Sequence, residues 1–257
     1  MSTYTEQNRI AVVTGASRAS GIGAAVCRAL AEQNTDIFFT YWGRYDQELY
    51  GQEEGGPEEL LKTTRALGVR CECIQADLSV PQSAKQIIDE VEARLGSPSI
   101  LVNNAAYSTR DGFEQLDART LDAHYAVNMR GTFLLSVEFA RRYLGTSSGR
   151  IINLVSGEDR PMPGELAYAA TKGAIAAFTI SLAAELAPRN ILVNAVDPGP
   201  TDSGWISADP ELKQALLETA PLGRLGRPED AARLIAFLAS DAAQWITGQI
   251  IHSRGGF

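Results

Sequence analysis

The sequence predicts an α/β fold: one doubly wound parallel sheet with helices on both faces. Three observations lead there. Short β-branched runs alternate with amphipathic stretches along all 257 residues, as successive strand–helix units do. The apolar runs lack hydrophobic–polar alternation, which is expected of strands buried on both faces. No linker and no internal repeat divides the chain, so a single domain over residues 1–257 is expected.

The elements follow in order. Residues 10–14 are β-branched and end at a glycine-rich turn. Residues 23–33 are alanine-rich and helical, and 36–41 form the second strand. Residues 58–67 are helical and 69–76 form the third strand. A helix at 83–95 leads to a strand at 100–103. Residues 120–143 read as one long helix, followed by a strand at 150–156. Residues 167–186 form another helix, then a strand at 191–196. Helices at 208–218 and 229–239 precede a last strand at 249–252. Two connections stand out. Residues 42–57 are long for a strand-to-helix link and hold four glycines and four acids. They read as a surface loop, since loops of this length are tolerated at small cost; a flap over a bound ligand is the alternative. Residues 201–208 lead into a short helix and could cover a substrate.

Composition narrows the function classes. Hydrophobic residues are 45% and charged residues 21%, which is globular rather than disordered. A net charge of −8 argues against a broad basic surface for nucleic acid. No unbroken run of 18 apolar residues occurs, so no membrane span is expected. Residues 1–9 are polar, with no hydrophobic leader core. Cys27, Cys71 and Cys73 are too few for a disulfide framework and suit a reducing cytoplasm. Cys71 and Cys73 lie two apart on a strand, so both thiols share one face; a packed pair is expected rather than a metal site. With only His124 and His252 besides, no metal centre is expected.

The first strand runs directly into Thr14-Gly15-Ala16-Ser17-Arg18-Ala19-Ser20-Gly21-Ile22-Gly23. Strand, glycine turn and helix start together form a dinucleotide-binding context, so the fold is Rossmann-like. Gly15 permits a tight turn. Gly21 lets backbone approach a pyrophosphate where a side chain would collide, and Gly23 allows the helix to pack close to the strand. The helix start offers free N–H groups and a positive dipole end. The turn thus marks Gly15, Ser17, Arg18, Gly21 and Ile22 as cofactor-binding. At the end of the second strand no acid stands ready for a ribose 2′-hydroxyl; the residues are Thr40, Tyr41 and Trp42. Arg18 and Arg44 are placed to neutralise a 2′-phosphate. NADP(H) is therefore favoured over NAD(H), with two merely solvated arginines as the competing reading.

Tyr168 and Lys172 are four apart at the start of a helix, on one face and one turn apart. A phenol ionises near pH 10. A neighbouring ammonium stabilises phenolate and lets the tyrosine exchange protons nearer neutrality. Hydride addition to a carbonyl needs such a donor, because it leaves an alkoxide. Ser156 ends the preceding strand, where its hydroxyl could bond the same carbonyl oxygen. Asn128, on the long preceding helix, is a candidate buried amide that could anchor a water. Singly, each is most often structural; behind a nucleotide turn the set is specific.

At these residues the sequence closely resembles the short-chain dehydrogenase/reductase family. Further matching motifs are Asp77-Leu78, Asn103-Asn104-Ala105, Asn128-Met129-Arg130-Gly131, Asn194 through Gly199, and Ile246-Thr247-Gly248. The run from Pro221 to Asp230 resembles the 3-oxoacyl-carrier-protein reductase branch. The resemblance implies that Tyr168 is the acid/base and that Lys172 supports it and holds the nicotinamide ribose. It implies that Ser156 orients the carbonyl and Asn128 a water-linked relay. Asp77 and Leu78 would lie at the adenine, Asn104 and Ala105 along the ribose and phosphates, and Pro198, Gly199 and Thr201 beside the nicotinamide. It further implies a small carbonyl or alcohol substrate and a homotetramer built through the two long helices and the last strand.

The sequence departs from the family pattern in several places. Five residues separate Gly15 from Gly21, where three are usual; this resembles the enoyl reductases, although those space Tyr and Lys by about seven. Ser156 lies twelve residues before Tyr168, one fewer than usual. Ala106 stands where glycine is usual, which matters only if that backbone needs a positive φ. A cofactor-binding sensor or scaffold with little catalysis is the alternative reading, because fold does not fix function.

Overall fold

The computed structural model describes residues 8–44, 56–145, 147–157 and 159–257. Among these residues, seven strands form one sheet: β1 (Ile10–Val13), β2 (Asp36–Tyr41), β3 (Cys71–Gln75), β4 (Ile100–Asn103), β5 (Gly149–Leu154), β6 (Ile191–Asp197) and β7 (Ile250–His252). Their order is β3-β2-β1-β4-β5-β6-β7, and every neighbouring pair is parallel. The strand order reverses between β1 and β4, so a crevice opens beyond their carboxyl ends. Such switch points are where open α/β sheets bind ligands.

Strand alternation assigns the two faces. Ala11 and Val13 of β1 pack with α1 (Ile22–Ala31) and α8 (Pro228–Ala239). Ile10 and Val12 pack on the other side with α3 (Ser83–Arg94), α5 (Thr132–Arg142) and α6 (Leu166–Leu186). All four residues are buried, which is why the strand carries no polar position. The remaining helices are α2 (Gly56–Arg65), α4 (Ala118–His124) and α7 (Pro210–Glu218).

The expected long helix at 120–143 is interrupted. It begins as α4, widens into a π-helical turn over Tyr125–Gly131, and continues as α5. Apolar residues continue on both sides of the turn, so sequence periodicity does not reveal it. Such turns accompany functional sites, and Asn128 sits in this one. Gly131 is needed there, because a Cβ would lie 2.8 Å from the Leu78 carbonyl oxygen. A second difference is at β5, which ends at Leu154 and leaves Ser156 two residues beyond it.

Cys71 and Cys73 face the same cluster, close to Cys27. Burial pushes the Cys71 thiol up to about 12, so it stays protonated as a packing group. Of the 42–57 connection, residues 45–55 lie outside the described residues. Among the described residues, one helical stretch, Leu166–Arg189, is long and apolar enough to cross a membrane by length and composition. It is α6 and its continuation, and its buried side packs on the sheet beside β6.

Candidate active site

A cleft of about 1170 Å³ lies over the switch point. It exceeds the roughly 300–1,000 Å³ of ordinary ligand pockets, leaving room for a dinucleotide beside a small substrate. Its walls contain Gly15, Ser17, Arg18, Gly21, Ile22, Asp77, Leu78, Asn104, Ala105, Ser156, Tyr168, Lys172, Pro198, Gly199 and Thr201. Asn128 is the expected site residue that does not line the cleft.

The glycine turn is fixed by close contacts. Gly15 has φ +70°, and a Cβ there would lie 2.6 Å from the Ala105 Cα. A Cβ on Gly23 would lie 2.7 Å from both the Asn104 Nδ2 and the Gly15 carbonyl oxygen. Asn104 Nδ2 donates to the Thr14 and Gly15 carbonyls at 2.8 and 2.9 Å. Thr14 Oγ1 accepts from the Asn104 and Ala105 N–H groups, each at 3.1 Å. Asn104 thus clamps the turn to β4 in addition to lining the cleft. Within the lengthened turn, Ala19 and Ser20 form a local turn in which Gly21 N–H donates to the Arg18 carbonyl at 3.0 Å. The helix start stays open, for α1 has no side-chain cap at Gly21, and its first N–H groups face the cleft unsatisfied by the helix. Ala106 is not among the residues of positive φ, so its Cβ is tolerated.

Replacing Gly23 by valine is expected to push Asn104 off the turn. Overpacking of this kind costs about 1–3 kcal/mol. The variant should melt several degrees lower and bind dinucleotide at least tenfold more weakly, by thermal unfolding and fluorescence titration.

At the other end of the cleft, Lys172 is 2% exposed. Its Nζ donates to the Leu154 carbonyl at 2.7 Å and lies 5.5 Å from the Tyr168 ring centre. Burial lowers its pKa from the ordinary 10.5 to about 8, opposed by the buried carboxylate of Asp197. The first turn of α6, which carries Tyr168, is held from afar. Asp111 accepts from the Leu166 and Ala167 N–H groups at 2.5 and 3.0 Å, capping the helix from 55 residues away. Asn128 is fully buried and grips the Tyr107 backbone from both sides: Oδ1 accepts from its N–H at 2.7 Å and Nδ2 donates to its carbonyl at 2.9 Å. Nδ2 also donates to Thr171 Oγ1 at 3.0 Å, which in turn donates to the Tyr168 carbonyl at 2.8 Å. Asn128 therefore ties the π-helical turn to the helix of Tyr168. Asp111, Thr171 and Thr14 were not found from sequence, because their partners are set only by the fold.

Arg160, Met162 and Trp205 all line the cleft. A Cβ on Gly157, φ +68°, would overlap the Met162 side chain, so the short segment after Ser156 folds tightly on itself. Of residues 201–208, Thr201, Ser203, Trp205 and Ala208 line the cleft. They are held by a bridge between Thr201 and Gly226, by Trp205 Nε1 donating to the Thr201 carbonyl at 3.1 Å, and by Arg18 donating to the Ser203 carbonyl at 2.7 Å. Arg18 thereby reaches from the glycine turn to this segment. In α7, Leu212 and Leu216 face the cleft, and no residue of that helix is buried.

Comparison with known proteins agrees with this geometry. Residues 15–257 match the family model described as enoyl-(acyl carrier protein) reductase. The chain is 55% identical to an uncharacterized oxidoreductase of Bacillus subtilis, covering 98% of this chain and 97% of that protein. It is 37% identical to a 3-oxoacyl-[acyl-carrier-protein] reductase of Staphylococcus epidermidis, covering 97% and 98%. A short-chain dehydrogenase from Burkholderia cenocepacia, solved in complex with NADP, superposes with a TM-score of 0.86 at 33% identity over 97% of this chain and 98% of that one.

Proposed function

The chain belongs to the short-chain dehydrogenase/reductase family, and from that premise we propose that it interconverts a carbonyl and a secondary alcohol with NADP(H), by hydride transfer and with Tyr168 as proton donor. The observation that carries this is the convergence of Ser156, Tyr168 and Lys172 on the same cleft as the glycine turn.

The cleft fits a dinucleotide: the turn brings backbone where Cβ atoms would collide, and the α1 start presents free N–H groups. Gly15, Ser17, Arg18, Gly21 and Ile22 would hold the phosphates, Asp77 and Leu78 the adenine, and Asn104 and Ala105 the path between. Pro198, Gly199 and Thr201 would border the nicotinamide, and Lys172 its ribose. When bound, the nicotinamide supplies or accepts the hydride. Tyr168 donates its hydroxyl proton to the carbonyl oxygen as that oxygen gains charge. The Ser156 hydroxyl donates a hydrogen bond to the same oxygen and orients it. The Lys172 ammonium stabilises the phenolate left behind. Asn128 has both N–H groups committed, so its contribution to a water-linked relay is the second lone pair of Oδ1 together with its hold on Thr171.

NADP(H) is favoured because Arg18 and Arg44 line the cleft near Thr40, Tyr41 and Trp42, with no carboxylate at the end of β2. A charge-assisted hydrogen bond contributes about 1.5–3 kcal/mol. Arg44→Gln should therefore raise the KM for NADPH by about tenfold or more and leave that for NADH within twofold. Equal effects on both would remove Arg44 from cofactor choice.

We read the whole chain as one dinucleotide-binding and catalytic domain acting on a small substrate in the cytoplasm, as a homotetramer. Exposed Leu134 on α5, exposed Ile180 on α6, and Trp245 before edge strand β7 support association. Light scattering tests this, and a monomer would refute it. The reaction is tested with purified protein and NADPH against a panel of ketones, diketones and 3-oxoacyl esters. Oxidation of NADPH with any of them supports the proposal. Cofactor binding without turnover across the panel would favour the scaffold reading instead.

A further inference from the structure

We infer that Arg254 is a positioning residue for this reaction: its guanidinium joins the substrate-side segment after β5 to the buried carboxylate of Asp197 on β6. The inference rests on the Tyr168 and Lys172 reading above. Nη1 and Nη2 of Arg254 donate to Asp159 Oδ2 and Oδ1 at 3.0 and 2.7 Å, a parallel fork. Nε and Nη2 donate to Asp197 Oδ2 at 3.0 and 2.5 Å. The Arg254 side chain is 8% exposed and that of Asp197 fully buried, whereas Asp159 is 46% exposed. The stem does further work. Gly199, φ +63°, lies against it so closely that a Cβ would sit 2.8 Å from the Arg254 Cγ. One side chain thus supports the Pro198–Gly199 turn, the segment beginning at Gly157, and the charge of Asp197.

A buried carboxylate without a partner is costly, and Asp197 favours the protonated form of Lys172. Arg254 is the cation paired with that carboxylate, through Nε and Nη2. The charged and titratable groups around the proton-transfer pair are Tyr168 and Lys172 on α6, Glu165 just before it, Arg110 and Arg160 on the same cleft, Asp197 on β6 and Arg254 after β7. Beyond them lie Asp159 after β5 and His252 on β7, whose Nε2 is 3.8 Å from Asp159. Taking away Arg254 leaves net negative charge beside the pair, so both groups hold their protons to higher pH. Taking away only the Asp159 carboxylate releases the segment and leaves Asp197 neutralised. The two functions are therefore separable.

The test compares Arg254→Met, Arg254→Lys and Asp159→Asn with the wild type by two readouts. The first is hydrogen exchange of residues 157–165 in the cofactor-free protein. The second is the pH dependence of kcat/KM for carbonyl reduction. Arg254→Met and Asp159→Asn should both speed exchange about tenfold and raise substrate KM several-fold, as expected when a local closure is loosened. Only Arg254→Met should move the alkaline limb to higher pH, and Arg254→Lys should return it part of the way. Exchange unchanged in both variants, or coincident pH limbs for Arg254→Met and wild type, would overturn the inference. Absence of turnover in the wild type would instead remove the proposed reaction, and exchange would still decide whether Arg254 holds the segment.

Discussion

Tyr168→Phe is expected to lower kcat for carbonyl reduction by about 10³-fold, within the 10²–10⁴ range of general acid catalysis. The substitution removes one oxygen and keeps the ring that lines the cleft. Dinucleotide affinity should stay within about threefold, because the glycine turn and Lys172 are untouched. The backbone that carries the ring is held by contacts the substitution leaves alone: Asp111 on the first turn of α6 and Thr171 on the Tyr168 carbonyl. Single-turnover kinetics with saturating NADPH measure the effect, and retained turnover would remove Tyr168 as the proton donor.

Lys172→Met is expected to cost activity and gain stability. A cation roughly 5 Å from a forming phenolate, at an effective dielectric of about 20, contributes about 3 kcal/mol. That corresponds to about two pKa units, hence about a hundredfold in kcat/KM. The wild-type rate of reduction should fall as pH rises through about 8, where Lys172 loses its proton; in the methionine variant that limb should vanish. The sign for stability is opposite. The folded pKa lies below the unfolded one, so the buried ammonium carries its full desolvation penalty below pH 8, and the penalty fades as pH rises toward 10.5. Lys172→Met should therefore be more stable at pH 7 by up to about 3 kcal/mol, and the gain should shrink at high pH. Denaturant unfolding at pH 7 and pH 10 checks it; a variant less stable at pH 7 would contradict it.

Much of this was legible in the sequence because it rests on local rules. Strands buried on both faces, such as β1, read as unbroken apolar runs. The glycine turn announces itself because Gly15 and Gly23 sit where no Cβ fits. The Tyr168–Lys172 spacing fixes one helical face. What was not legible depends on distant partners. The π-helical turn around Asn128 leaves the apolar pattern unchanged. Asp111 caps a helix 55 residues away, and Arg254 meets Asp159 across 95 residues. No local pattern encodes such pairings. Arg18 reads as a phosphate ligand from its place in the turn, and its contact with the Ser203 carbonyl is set by the fold alone.

The measurement that bears most directly on the central claim is a crystal structure of the protein with NADPH. The expected result is dinucleotide density running from the Gly15–Gly23 turn to the Pro198–Gly199 turn, with the nicotinamide beside the Tyr168 hydroxyl and its ribose on Lys172. Density elsewhere, or a Tyr168 hydroxyl turned away from the nicotinamide, would contradict it.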